Sequence, residues 1–225
     1  MSEPNLDFTM KYFPIFTDLR DKTVLVVGHY RVLEFKIEKL LEAGAKIKLI
    51  SSFVSDKLQN YTKSGQLTLN SDKFNEKYLD DVWLVICGSD DDKLKMNIAR
   101  ETENRNIFCN FVDEAPLSSF ISPSVITRGD ITIAISTEGK SPALNKKIKD
   151  IISNTIGDEY SFLADLLGKV RPRVINNIPD LQQRSELFDK IVNDPRVLKL
   201  IRNKQHIQAE QLVTDIIDKE INHQF

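Results

Sequence analysis

TVLVVGHYRVLEFKIEKLLEAGAKIKLI, residues 23–50, is the stretch that decides the fold. A β-branched run ends at Gly28, apolar residues then recur at helical spacing, and a second apolar run follows Gly44. This order predicts a strand, a helix and a second strand. The crossover of a parallel strand pair places the start of the helix at the carboxyl end of the first strand, where backbone N–H groups can bind an anion. The sequence therefore predicts a βαβ unit with a dinucleotide-type site between Gly28 and Val32.

The glycine pattern of this unit departs from the usual dinucleotide fingerprint, G-x-G-x-x-G/A. Gly28 keeps the first glycine, whereas Tyr30 replaces the second and Leu33 the third. The second glycine lets the backbone approach the pyrophosphate, and the third lets helix and strand pack closely. We therefore expect the phenol ring of Tyr30 to occupy space that a pyrophosphate uses, or to change how it binds. The second strand is followed by Ser51-Ser52-Phe53 instead of the acidic residue that would bind a ribose hydroxyl.

Length and composition bound the kind of protein. With 225 residues, 41% of them apolar, the chain can bury a sizeable core in one domain with an appendage or in two small domains. A net charge of −2 gives no general attraction to nucleic acid or to a membrane surface. Nothing resembles a signal peptide, and no apolar run approaches the roughly 20 residues that span a bilayer. We expect a cytoplasmic protein that binds neither nucleic acid nor membrane.

The two cysteines, Cys87 and Cys109, both fall inside predicted buried strands. There is no CxxC pair, and the three histidines are scattered. The pattern predicts small buried hydrophobic residues and gives no metal ligands to propose.

Two further buried strands, predicted over 82–87 and 107–112, deliver polar residues to the same edge as the first. Ser89 and Asp90 follow the earlier strand and could either cap the next helix or contact a ligand. Asp113 follows the later strand and could either cap a turn or act in the site.

The pattern changes at Pro123. Two strands joined at residues 128–130 predict a hairpin, and Ser141 followed by Pro142 predicts the start of a helix. From Ala143 onward the chain is predicted to be helical and amphipathic. The expected interruptions are Gly157, Pro172, Pro179 and Pro195.

Seven pieces of the chain, in register, resemble the siroheme synthase family. They are PIFTDLR (14–20), VVG (26–28), LEAGA (41–45), SDD (89–91), FCNFVD (108–113), FISPS (120–124) and AISTEGKSPAL (134–144). The resemblance covers nearly the whole chain. It implies an α/β fold: a Rossmann-like parallel sheet domain over 1–122, a small α+β dimerisation region over 123–153 and a helical C-terminal domain over 154–225.

The resemblance also implies an activity. Family members are precorrin-2 dehydrogenases, which oxidise precorrin-2 to sirohydrochlorin with NAD, and sirohydrochlorin ferrochelatases, which insert ferrous iron to give siroheme. They act as homodimers that exchange elements between subunits. The acidic residue implicated in both reactions matches Asp113.

The family's ligand contacts map onto two sets of positions. The implied NAD contacts are Arg31, Val32, Ser52 and Phe53, and the implied contacts to tetrapyrrole carboxylates are Ser136 and Thr137. The usual family loop is Gly-Gly-Gly-x-Val-Ala, so His29, Tyr30 and Leu33 all depart from it. Lys95 stands where family members commonly have Asn. The departures fall on the nucleotide side.

Three hypotheses follow. The first is an NAD-dependent precorrin-2 dehydrogenase, with or without chelatase activity. The second is an NAD-independent chelatase or tetrapyrrole-binding protein, since metal insertion needs only a cleft and a base whereas dehydrogenation needs the cofactor held in place. The third is a scaffold that binds neither. The altered loop favours the last two, whereas Asp113 and the Ser-Asp-Asp cluster argue against the third, so we predict siroheme-pathway chemistry.

Overall fold

The computed structural model describes residues 12–71, 73–112 and 114–222, with only the backbone of residues 30–32. It divides the chain into two compact units, with the division between Ser122 and Pro123. The first unit contains a parallel sheet and the second contains a hairpin followed by helices.

A five-stranded, fully parallel sheet forms the first unit. Its strands are β1 (Thr23–Gly28), β2 (Lys46–Ile50), β3 (Leu67–Asn70), β4 (Val82–Gly88) and β5 (Phe108–Phe111), and its helices are α1 (Tyr30–Glu42), α2 (Asp56–Lys63) and α3 (Asp92–Asn104). The strand order is β3-β2-β1-β4-β5, so the winding reverses between β1 and β4. In open sheets of this kind, ligands bind at the carboxyl ends of the strands beside such a reversal. The predicted βαβ unit is confirmed.

Both faces of this sheet are covered. Helices α1 and α2 bury Leu33, Ile37 and Leu58 against one face, and α3 buries Ile98 against the other. The central residues of β1, Val24 to Val26, have no exposed surface. This explains why their sequence is a continuous apolar run, since a parallel strand is buried on both sides. Burying each large aliphatic side chain stabilises the unit by about 1.5–3 kcal/mol.

The second unit begins with an antiparallel hairpin. The hairpin consists of β6 (Ser124–Arg128) and β7 (Ile131–Ile135). Five helices follow it: α4 (Pro142–Thr155), α5 (Asp158–Asn177), α6 (Leu181–Val192), α7 (Pro195–Arg202) and α8 (His206–Asn222). The antiparallel pairing of β6 and β7 confirms the predicted hairpin. The predicted helix start is also confirmed, because Ser141 Oγ accepts a hydrogen bond from the N–H of Leu144 at 3.2 Å. No helix in the described parts of the chain is long and apolar enough to cross a membrane.

One predicted interruption is wrong, and one break was not predicted. Pro172 lies inside α5, which continues to Asn177. Proline removes one helical hydrogen bond and crowds the carbonyl four residues earlier. That carbonyl belongs to Gly168, whose backbone adjusts most easily, and the buried Leu166 and Val174 hold the helix on both sides of the proline. The helices α7 and α8 are separated at Lys204, which adopts a φ of 58°.

Candidate functional site

The carboxyl end of β1 is formed by close contact between two strands. Gly28 has a φ of 128° and pairs with Gly88 at the end of β4. A Cβ atom at Gly28 would lie 2.3 Å from the carbonyl oxygen of Gly88, which leaves no room for any other residue. The next residue, His29, donates its N–H to that same oxygen at 3.3 Å. The tight turn that the first fingerprint glycine provides is therefore present.

The close contact between helix and strand is also present, although Leu33 occupies the third fingerprint position. Leu33 is completely buried, and a Cβ atom at Gly88 would lie 2.9 Å from its Cδ2 atom. The space for close packing thus comes from a glycine on β4 instead of one on α1. Gly88 therefore accommodates the departure from the fingerprint at Leu33.

The start of α1 faces the edge where a pyrophosphate would bind. Helix α1 begins at Tyr30, directly after the turn, and its first turn contains no acidic residue. Unpaired N–H groups at such a helix start attract anions. The side chains of Tyr30, Arg31 and Val32 lie outside the described part of the structure. The effect of the Tyr30 ring and the cofactor contacts of Arg31 and Val32 therefore stay predictions.

After β2, the chain turns and exposes the two residues that the resemblance implies for NAD. Buried Ser51 donates its hydroxyl to the carbonyl of Phe53 at 2.7 Å, which closes the turn. Ser52 is exposed, and 70% of the surface of Phe53 is accessible. Both side chains are accessible at the carboxyl end of β2, and their role toward NAD stays a prediction.

The Ser-Asp-Asp cluster after β4 has separate tasks. Asp91 caps α3, because its Oδ1 accepts the N–H groups of Lys93 at 2.9 Å and Leu94 at 3.2 Å. The hydroxyl of Ser89 accepts the N–H of Asp91 at 3.2 Å. Among the described residues, nothing bonds to the exposed carboxylate of Asp90. The capping interpretation thus holds for Asp91, while Asp90 is available to a ligand.

The segment after β5 is anchored on both sides of position 113. Val112 donates its N–H to the carbonyl of Cys87 at 2.8 Å, and Glu114 donates its N–H to that of Phe111 at 3.2 Å. Ser118 Oγ accepts the N–H of Phe111 at 2.9 Å and donates to the carbonyl of Glu114 at 3.0 Å. Asp113 itself lies outside the described residues, so its catalytic role stays a prediction.

A buried lysine lies beside this segment. Lys95 Nζ is 2.5 Å from Glu114 Oε1 and 2.8 Å from Asp92 Oδ1, and only 11% of its side-chain surface is exposed. Its hydrogen bonds to Asp92, which has the larger effect, and to Glu114 raise the pKa of Lys95 above the usual range of lysine. A cavity of about 350 Å³ adjoins the pair, lined also by Met96, Pro116 and Leu117.

In the sequence Lys95 was noted only as a departure from the Asn common in the family, and its ion pairs were not predicted, although a signal existed. Lys95 lies on the same face of α3 as the buried Ile98 and Thr102, at spacings of three and four residues. A lysine on the buried face of a helix needs a partner of opposite charge.

A second polar network, also missed, connects α1 to β5. Lys36 Nζ donates to Asn110 Oδ1 at 3.0 Å and to Ser122 Oγ at 3.1 Å, and Asn110 Nδ2 donates to the carbonyl of Phe120 at 3.1 Å. Asn110 is buried in an otherwise apolar strand, which is the signal that could have indicated it. The network fixes the course of residues 120–122.

In the second unit, the hydroxyls of Ser136 and Thr137 hold their own loop. Ser136 Oγ accepts the N–H of Glu138 at 2.9 Å, and Thr137 Oγ1 donates to the carbonyl of Ser141 at 3.2 Å. Ser136 is exposed and Thr137 is half-buried. These bonds shape the loop, and their role toward a tetrapyrrole stays a prediction.

Both cysteines are buried, as predicted. Burial raises the pKa of the Cys87 thiol to about 11 and that of the Cys109 thiol to about 12. Within residues 12–71, 73–112 and 114–222, no group of three or more His, Cys, Asp or Glu is arranged to hold a metal ion.

The doubly wound parallel sheet, with its glycine turn at the winding reversal, defines a Rossmann-like protein of the nucleotide-binding class. Three family models match in chain order: an NAD(P)-binding model over residues 15–124, the sirohaem biosynthesis protein central model over 128–155, and the sirohaem synthase dimerisation region over 159–217. The chain therefore belongs to the siroheme synthase family, which confirms the resemblance seen in the sequence. The dimerisation model falls on the helical segment, so our assignment of dimerisation to 123–153 stays a proposal.

Curated relatives agree with this family. The chain is 33% identical over 207 residues to siroheme synthase 2 of Yersinia pseudotuberculosis serotype O:1b, covering 92% of this chain and 44% of that protein. It is 30% identical over 214 residues to siroheme synthase of Escherichia coli O1:K1, covering 95% and 47%. The chain thus spans less than half the length of these relatives.

A solved structure agrees in fold. SirC, a precorrin-2 dehydrogenase, superposes with a TM-score of 0.73 at 24% identity, covering 89% of this chain and 99% of that one. The predicted fold class, a Rossmann-like sheet domain followed by an α+β region and helices, is confirmed.

Proposed function

We propose that this protein oxidises precorrin-2 to sirohydrochlorin with NAD as the acceptor, a step of siroheme biosynthesis. The observation that carries the proposal is the intact turn at the winding reversal, where Gly28 contacts Gly88 and α1 starts without an acidic residue. This geometry supports nucleotide binding despite the altered fingerprint. The NAD(P)-binding family model spans the same residues, and SirC, which shares the fold, is itself a precorrin-2 dehydrogenase.

The chain's own residues have distinct tasks in this proposal. Backbone N–H groups at the start of α1, with Arg31 and Val32, bind the pyrophosphate, and the exposed Ser52 and Phe53 border the adenosine. Bound NAD supplies the hydride acceptor. The carboxylate of Asp113 accepts the proton that leaves the macrocycle as its hydride is removed.

The tetrapyrrole needs groups that bind its carboxylates. Ser136 and Thr137 supply hydroxyls for this purpose, with exposed Ser136 the more accessible of the two. The half-buried Ser89 and the exposed Asp90 follow β4 at the edge where the nicotinamide would meet the substrate. We further propose a homodimer, built through residues 123–153 and the helical domain 154–225, and no nucleic-acid partner.

A second candidate function is ferrous iron insertion into sirohydrochlorin, with iron as a substrate. It is favoured by the anchoring on both sides of position 113, because insertion requires a base for the pyrrole protons but no cofactor. The alternative to the dehydrogenase is then a protein that does not use NAD and either inserts iron into sirohydrochlorin or only binds the tetrapyrrole.

Calorimetric titration with NAD tests the first proposal. We compare the native chain with Tyr30→Ala and, as control, with Phe35→Ala, which removes an exposed ring from the same helix. Binding of the native chain at micromolar Kd, about −8 kcal/mol, together with NADH formation from precorrin-2, supports the dehydrogenase. Absence of heat in both native chain and Tyr30→Ala contradicts it.

The same protein then tests the second candidate. Sirohydrochlorin and ferrous iron are mixed anaerobically with the native chain and with Asp113→Asn, and siroheme is followed by absorbance. The chelatase is supported if the native chain forms siroheme faster than the uncatalysed reaction and Asp113→Asn does not. An equal rate with both proteins contradicts it.

A further inference from the structure

We propose that Lys95 is a positioning residue: by pairing with Glu114 and Asp92, it ties the residue that follows the predicted base Asp113 in the sequence to the start of α3. This inference rests on the function proposed above, because it assigns Lys95 an effect on the chemistry of Asp113. It does not require Lys95 to touch substrate or cofactor.

The burial of Lys95 sets it apart from an ordinary surface lysine. Its side chain is 11% exposed, whereas those of its partners Asp92 and Glu114 are 87% and 40% exposed. Withdrawing an ammonium from water costs several kcal/mol, and a buried ion pair rarely returns much more than that cost. A buried pair is therefore weak as a source of stability, while its short, directional contacts restrict where Glu114 can lie.

The restriction acts at the residue next to the predicted base. Glu114 follows Asp113 directly in the sequence, and described residues on β4, on β5 and at Leu117 and Ser118 also bond to Val112 or Glu114. The Lys95 pair adds a connection from the turn to α3, 19 positions away in the chain. Since a peptide bond joins Glu114 to Asp113, the tie at Glu114 is the contact through which Lys95 would act on the predicted base.

Lys95 stays charged, so its ion pairs with Asp92 and Glu114 persist. The hydrogen bonds to both carboxylates raise the pKa of Lys95, so the ammonium keeps its proton. The pair also lines the 350 Å³ cavity, together with the apolar Met96, Pro116 and Leu117. The tie therefore lies at the strand edge where the site is proposed.

The variants Lys95→Met, Glu114→Gln and their double mutant test this role, with Lys93→Met as the matched control. Lys93 lies on the same helix but is exposed. Lys95→Met should fold, because it leaves Asp92 and Glu114 exposed to water. We expect kcat for precorrin-2 oxidation to fall about 10–100-fold, since misplacement of a reacting group by about 1 Å costs that much. The KM for NAD should stay within about twofold, and the double mutant should lose no more than Lys95→Met alone.

Hydrogen exchange provides a readout that does not need activity. The amides of residues 112–115, 117 and 118 should exchange faster in Lys95→Met than in Lys93→Met. Faster exchange in a protein that never oxidises precorrin-2 would support the tie and refute the proposed function. Unchanged exchange, or an unchanged kcat in an active, folded Lys95→Met protein, would refute the positioning role.

Discussion

The two sides of the sheet's carboxyl edge are built in different ways. At β1 and β4, the chain is held by backbone against backbone: Gly28 contacts Gly88, and Leu33 fills the space that Gly88 leaves. At β5 and α3, side chains add to the backbone contacts: Ser118 Oγ bonds to Phe111 and Glu114, and Lys95 pairs with the Glu114 carboxylate.

The difference teaches where this family member can vary. Steric contact at the glycine turn tolerates no added atom, but it permits Leu33 once a glycine is available on the facing strand. Polar contacts can be exchanged for others of similar geometry, because each contributes only about 1 kcal/mol. Substitutions on the glycine side should therefore lower the free energy of unfolding more than substitutions on the polar side. The following experiments measure that difference.

The largest loss of stability should come from Gly28→Ala. The new Cβ would lie 2.3 Å from the Gly88 carbonyl oxygen at a φ of 128°, so strain and overlap add to about 3 kcal/mol or more. Denaturant unfolding measures this. Gly65→Ala is the control, because it has a φ of 77° but no atom within 4 Å, and should lose about 1 kcal/mol. Equal losses would mean that the contact with Gly88 is not what fixes this turn.

The Leu33–Gly88 contact should appear as energetic coupling. Leu33→Ala should cost about 3 kcal/mol through a cavity, and Gly88→Ala about 2 kcal/mol through overlap with the Leu33 side chain, 2.9 Å from the new Cβ. The added methyl group should partly fill the cavity, so the double mutant should lose about 1 kcal/mol less than the sum. Strict additivity in the unfolding free energies would rule out this compensation.

The thiols between the two sides should make stability depend on pH in the alkaline range. Their folded pKa values, about 11 for Cys87 and about 12 for Cys109, lie above the ordinary value of 9.0. The folded state therefore keeps protons that the unfolded chain releases. The contribution is complete below pH 9 and is lost as pH rises through 9 to about 12, by about 3 kcal/mol for Cys87. A Cys87→Ala, Cys109→Ala double mutant should show a shallower decline, and an identical decline would contradict the assignment.

The smallest effect is expected on the polar side. Ser118→Ala removes the acceptor of the Phe111 N–H and the donor to the Glu114 carbonyl, and should cost about 1 kcal/mol. Ser64→Ala is the control: its exposed hydroxyl bonds to Tyr61 and Gln66, and its loss should stay within about 0.5 kcal/mol. A Ser118→Ala loss as large as that of Gly28→Ala would erase the contrast between the two sides.

Much of the order of strands and helices in both units could be predicted from the sequence, because the signals are local. The apolar run before Gly28, the hairpin at residues 128–130 and the cap at Ser141 each depend on neighbours within a few positions. Pro172 was misjudged because its tolerance depends on packing against buried residues of other helices. The same limit applies to the site: the residues at the strand ends were predicted, but their hydrogen-bond and ion-pair partners were not.

Sequence alone determined the order of the elements and which residues stand at each strand end, since hydrophobic period and capping are read over one or two turns of chain. Tertiary structure decided which of those residues meet. Lys36 reaches Asn110 across 74 positions, and Leu33 meets Gly88 only because β4 lies beside β1. Such pairs follow from strand order and register, which no local pattern specifies.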